Sequence, residues 1–375
     1  MKGITFGNYH SFQDFRLILS PNNAIGTPTP KYELIDIPGG DGMLDFTEAF
    51  GEVKYGNRPL SFEFSTMVPQ SEFMSLFATV QNALHGQKMK IVLDDDPDWY
   101  YVGRITVSEW KADRLIGNLT IDCDCEPFKY KAQKTVVSAT LDGTSNNLYD
   151  FNKITFPATI TKNNDGFLDV NVSNTDSGII YPTIFHNLHE TVEVEPSQPM
   201  SLIVEIRESI TVPGSGVYLY VSNYFAPQPD YFSPTSYPVL FTNTKNKIVV
   251  VPATIRAEAI ENAAFFLRSY FSVQPGASIK ASFRLSVVKG TVRSDDFVYT
   301  SADGTMRGLR LLNSKKRVAP SITATAPFTI YHEGNTYSVT AGTTTIPEIE
   351  LKEGVNDIAV KGTGTITFTY QEGVL

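Results

Sequence analysis

Residues 88–125 read KMKIVLDDDPDWYYVGRITVSEWKADRLIGNLTIDCDC. Three segments in this stretch, KIVLDDD, YYVGRITVSEW and IGNLTIDCD, alternate apolar and polar residues with the period of two of half-buried strands. Turn residues separate them at steps typical of sandwiches and barrels. The same texture extends in both directions. LSFEFST (60–66), MSLIVEIRES (200–209), GVYLYVSN (216–223), NKIVVVP (246–252), SIKASFRLSVV (278–288), PFTIYHE (327–333), NDIAVKG (356–362) and GTITFTYQ (364–371) all read as strands. Helical spacing is clear once, in PQSEFMSLFATVQNALHG (69–86). There Phe73, Leu76, Phe77, Val80 and Leu84 recur at steps of three and four, Ser71 is the expected N-cap, and Gly86 is the stop. IRAEAIENAAFFL (255–267) fits a second helix or a strand and turn. The fold class expected is mainly β.

The chain has 375 residues, enough for two or three domains. It carries 31 basic and 40 acidic residues, a net charge of −9, which argues against whole-protein affinity for nucleic acid or anionic lipid. Charged residues are only 19%, while 24 Phe and 18 Tyr are present. That balance suits a β-rich protein with surface buried against partners. The first residues, MKGITFGNYHSF, lack the apolar core of a secretory signal, and no apolar run of membrane-spanning length occurs. Assembly in a cytoplasm is expected. Cys123 and Cys125 are too close along a strand for an easy bridge and read as small buried residues.

Few residues suggest chemistry. Asp94, Asp95, Asp96 and Asp98 crowd one turn but lack the glycine and terminal glutamate of a calcium loop, so a turn held by Asp–backbone bonds is expected, with Arg104 a possible partner. His186 and His189 stand three apart with no third ligand in view, and no metal or cofactor site is expected. Acidic pairs such as Glu193/Glu195 and Asp295/Asp296 do not by themselves make a glycosidase. No nucleophile elbow or phosphate loop occurs, and the chain is not expected to be an enzyme. The densest binding signal is aromatic. Tyr218 and Tyr220 suit a strand with its rings in the core, whereas Tyr224, Phe225, Tyr231, Phe232 and Tyr237 suit a Pro-rich saccharide-binding loop.

Several motifs together resemble the phage distal tail protein (Dit) family. They are GITFGNYHSFQDFRLILS (3–20), the PGGDG turn and YGNR block within residues 32–65, ALHG followed by the DDDPDWYY hairpin (83–110), CEPFKYK (125–131), and the final segment from Ala319 to EGVL. The resemblance implies a ring, usually hexameric, joining the tail tube protein to tip-fibre or baseplate proteins in the virion. It implies an N-terminal ring-forming domain over 1–131, sandwich-like with one α-helix. It also implies a discontinuous galectin-like β-sandwich over 132–141 and 311–375. Gly39, Gly40, Asp41, Gly42, Tyr55, Gly56, Asn57 and Arg58 are then expected near the subunit contact. Residues 142–310 exceed the family scaffold. They read as an inserted jelly-roll-like β-sandwich, resembling the carbohydrate-binding modules that aid adhesion to host-wall saccharide; the alternatives are docking of a neighbouring tail protein and a glycan-cleaving enzyme.

Overall fold

The computed structural model describes residues 2–49, 51–112, 116–145, 147, 160–185, 190–191, 199–211, 217–226, 235–254, 264–295 and 297–375. Among them the regular structure is overwhelmingly β. Two α-helices occur, Ser11–Phe15 and Phe73–Leu84.

In the N-terminal domain, strands Trp99–Ala112, Gly117–Cys125 and Arg58–Thr66 lie side by side and antiparallel. Strict alternation turns Leu60, Phe62 and Phe64 inward, onto Ile4, Phe6 and Ile121. Helix Phe73–Leu84 covers this core with Phe73, Val80 and Leu84 buried. Ser71 is not its cap. Gln70–Glu72 form a 3-10 turn, and the α-helix begins after it without a side-chain cap. Gly86, at φ +76°, stops the helix and donates its N–H to the Ile105 carbonyl. The five-residue helix was too short for periodicity to find. It is capped reciprocally: His10 Nδ1 accepts from Phe12 and Gln13, and Asp14 accepts from the His10 N–H.

The C-terminal domain is a sandwich of two four-stranded sheets. One runs Thr135–Leu141, Gly364–Tyr370, Ser321–Ala324, Gly342–Thr345; the other runs Met306–Asn313, Gly354–Gly362, Phe328–His332, Asn335–Val339. Ile322, Ile330, Val360, Ile366 and Phe368 fill the space between them. Strand Met306–Asn313 crosses the expected boundary at 310 and pairs along its whole length with Gly354–Gly362. The middle domain therefore ends before Met306.

The middle domain is a second sandwich. Among its described residues nine strands are counted along the chain from Ile160–Lys162 to Ser278–Lys289, with Thr183–Phe185 and Glu190–Thr191 taken together as the third, and one sheet runs first, second, ninth, fourth, seventh. The other sheet runs third, eighth, fifth, sixth, with the third made of Thr183–Phe185 and Glu190–Thr191. Alternating between sheets in this way is the double Greek key of a jelly roll. Phe241, Phe271 and Phe283 pack edge-to-face at 5.5–5.8 Å in its centre. Of the stretch that suited either helix or strand, residues 264–267 lie in strand Ala264–Ser272, and 255–263 fall outside the described residues.

Two joints tie the domains together. Strand Lys129–Lys131, from CEPFKYK, pairs with Gly373–Val374, from the terminal EGVL. A Cβ on Gly373 would meet the Lys316 and Phe128 Cβ atoms at 3.0 and 3.4 Å, so the close approach favours glycine. At the other joint Ile203, Phe297, Tyr299 and Met306 are buried together between middle and C-terminal sheets, with Tyr331 against them.

Candidate functional site

The PGGDG turn sits at the tip of an isolated hairpin. Leu34–Asp36 pairs with Met43–Asp45 in register Ile35↔Leu44 and, among the described residues, joins no other sheet. Gly39 and Gly42 adopt φ of +79° and +82°, with nothing within 4 Å of a would-be Cβ on either. Leu34, Ile35, Met43 and Leu44 are 48–61% exposed, and Tyr32, Ile37 and Phe46 flank them, also exposed. A lone two-stranded hairpin is marginal in water, and this one leaves apolar side chains exposed on both of its faces. The sequence located the turn but gave no sign that both faces of its hairpin would be open.

The neighbouring Tyr55–Arg58 segment is more inward. Tyr55 bridges to Pro30 and meets the Phe128 ring at 6.2 Å. The Gly56 N–H donates to the Thr29 carbonyl, and Asn57 donates to Asp124 at 2.9 Å. Arg58 is buried, with its guanidinium 5.5 Å from the Tyr101 ring centre.

The aromatic stretch of the middle domain divides. Tyr224 and Phe225 lie in strand Val217–Ala226, and Tyr237 lies in Thr235–Phe241, so these three belong to paired strands and not to a loop. Tyr231 and Phe232 lie outside the described residues. Tyr218 reverses its expected orientation. Val217 and Leu219 fill the core, and the alternation places Tyr218 outward, 37% exposed. Tyr270 shares that outer face, because Tyr218 pairs with Ser272 two residues on. Exposed Tyr181 meets the Tyr270 ring edge-on at 5.9 Å. The result is an aromatic surface drawn from residues 89 apart in sequence (270 − 181), which no local cluster count could assemble.

The aspartate turn is structural. Asp94 accepts the Gly3 N–H at 2.7 Å and lies 3.1 Å from His10 Nε2, Asp95 pairs with Lys2, and Asp96 pairs with Lys129. Arg104 donates instead to the Gly86 carbonyl. Cys123 and Cys125 are free and buried in the N-terminal core, and burial pushes the Cys125 thiol up to about 12. Among the described residues no group of His, Cys, Asp or Glu could hold a metal ion, and no helix is long and apolar enough to cross a membrane. His186, His189, Glu193, Glu195 and Asp296 lie outside those residues.

No family model matches the chain, and no curated protein matches it. Among solved structures it is similar to the SPP1 Dit protein, a hub of the adsorption apparatus in phages infecting Gram-positive bacteria. The TM-score there is 0.32 at 10% identity, over 76% of this chain and 99% of that one. It is also similar to carbohydrate-binding modules of the β-sandwich superfamily (TM-score 0.21, 11% identity, 72% and 96% covered). A third is the N-terminal tandem CBM22 domain of Paenibacillus barcinonensis Xyn10C (0.21, 11%, 63% and 89%).

Proposed function

We propose that the chain is a structural, non-catalytic hub protein of a phage tail tip. Copies of it close into a ring, hexameric in the family it resembles, between the tail tube protein and the tip-fibre or baseplate proteins. Assembly takes place in the cytoplasm of the bacterial host. The jelly roll inserted between two strands of the C-terminal sandwich projects the Tyr181–Tyr218–Tyr270 face for adhesion to host-wall saccharide.

The exposed hairpin Leu34–Asp45 carries this reading. Its tip is the PGGDG motif, and among the described residues its apolar side chains stand exposed. A second copy is the partner that supplies cover in a repeating way. A projecting arm on a different surface of its neighbour is a heterologous contact, which closes into a ring when the rotation allows. Completing the burial of Ile35 and Leu44 contributes about 2–3 kcal/mol per contact. Repeated around a ring, weak saccharide sites on the jelly rolls gain avidity without any new contact.

Light scattering across a concentration series, with isolated tail tubes added as nuclei, tests the reading. Ring-sized particles or capped tube ends are expected for the native chain, and monomers for Ile35→Asp/Leu44→Asp. Assembly that is unchanged in the double variant removes the hairpin from the contact.

A further inference from the structure

We propose a second binding site, for a neutral saccharide, in the cavity between the middle and C-terminal domains. Its volume is about 630 Å³, within the ~300–1,000 Å³ typical of small-ligand sites. It lies beside the buried Ile203–Phe297–Met306 joint, so its two walls are held in fixed relation.

Charge pairing in the walls decides the ligand class. Arg284 Nε donates to Glu205 at 2.7 Å, and its guanidinium lies 3.8 Å from the Tyr299 ring centre. Arg207 pairs with Asp165 and lies 3.7 Å from the centre of the Phe167 ring. From the C-terminal side, Arg310 faces Asp357 at 3.8 Å and Lys352 faces Glu333 at 2.6 Å. Arg307 and Asp295 add one charge of each sign, and the remaining carboxylate, Glu353, is paired at 2.7 Å with Lys315 just outside the lining. The cavity thus lacks the surplus cations that hold a phosphate and the surplus carboxylates that hold an ammonium. Among the described residues Arg307 Nε and His332 Nε2 are buried in this lining without a hydrogen-bond partner, beside carboxylates that each have about four acceptor positions. Hydroxyl groups donate and accept at once, so a polyol matches such a wall where a pure acceptor or donor does not. The half-buried Tyr331 ring, at the border with a smaller cavity of about 210 Å³ lined by Asn163, Asn164, Ser301 and Asp303, offers an apolar face to pyranose C–H groups.

This site is separate from the outer tyrosine face, and its test distinguishes the two. The full chain is titrated calorimetrically with tetra- to hexasaccharides of glucose, galactose and N-acetylglucosamine, and with a glycerol-phosphate oligomer. Val355→Trp, a bulky group at the exposed cavity rim, and Arg207→Ala are compared with Tyr181→Ala/Tyr218→Ala. The expected result is binding of a neutral oligosaccharide that both cavity variants weaken at least about tenfold and the tyrosine variant leaves within about twofold. The proposal is overturned if affinity follows only Tyr181 and Tyr218, if glycerol phosphate binds in place of the neutral sugars, or if none of these oligosaccharides binds at up to about 10 mM. Ring assembly is indifferent to all of these variants, so failure here leaves the hub reading standing.

Discussion

Glu372 shows how much one side chain ties together. It accepts hydrogen bonds from Lys131 at 2.8 Å, Ser314 at 2.6 Å and Thr135, joining the last residue of CEPFKYK to a strand of one C-terminal sheet and the end of a strand of the other. Burial works to raise its pKa, but the bonds from Lys131, Ser314 and Thr135 outweigh that and hold it below the usual carboxylate range. Its stabilisation is therefore complete above the unfolded value of about 4.3 and is lost as pH falls through the lower folded value. Glu372→Gln should cost about 1–3 kcal/mol in urea unfolding at neutral pH, and that cost should shrink on acidification. Asp357 behaves oppositely. Burial, reinforced by Glu205, raises its pKa against the pull of Arg310. Its ionised form costs stability once pH exceeds the raised folded value. Asp357→Asn should therefore raise the melting temperature at neutral pH, by up to about 1 kcal/mol equivalent, with the gain fading as pH is lowered through the carboxylate range. Neither behaviour was legible in sequence. The partners of Glu372 lie up to 241 positions away, and a burial-driven shift needs the tertiary neighbours.

At the scale of elements, sequence reading works where a local period controls burial. The alternation in Arg58–Thr66 and Gly117–Cys125, and the three-four spacing of Phe73–Leu84, appear directly in which residues are buried. It fails where sheet pairing decides orientation. Tyr218 faces out because Val217 and Leu219 have the core, and both strand phases were open from sequence alone. The jelly-roll core allows a clean stability test. Phe283 meets Phe241 and Phe271 in the centre of the sandwich, so Phe283→Ala should cost about 3–5 kcal/mol. Calorimetry should show that loss in a transition separable from N-terminal unfolding; a single unshifted transition would mean that the middle sandwich does not depend on this packing. The hairpin predicts a different pattern. Ile35→Asp/Leu44→Asp alters exposed side chains only, so monomer melting should stay within about 0.5 kcal/mol while self-association is lost.

The whole molecule is a two-part scaffold carrying an insertion. The chain leaves the C-terminal sandwich after Leu141, builds the jelly roll, and re-enters with Met306–Asn313. Such an insertion is tolerated because closure entropy grows only slowly with loop length. The CEPFKYK and EGVL motifs, far apart in sequence, are neighbouring strands. Replacing residues 142–305 by a short Gly/Ser linker should leave assembly intact and abolish attachment to host walls in a sedimentation assay. Loss of assembly instead would make the middle domain architectural. The central claim is that the exposed hairpin joins one copy to the next, and electron cryomicroscopy of the assembled full-length chain tests it most directly. A closed ring with Ile35 and Leu44 buried against the neighbouring copy is the predicted result; a ring whose hairpins stand free in solvent would contradict it.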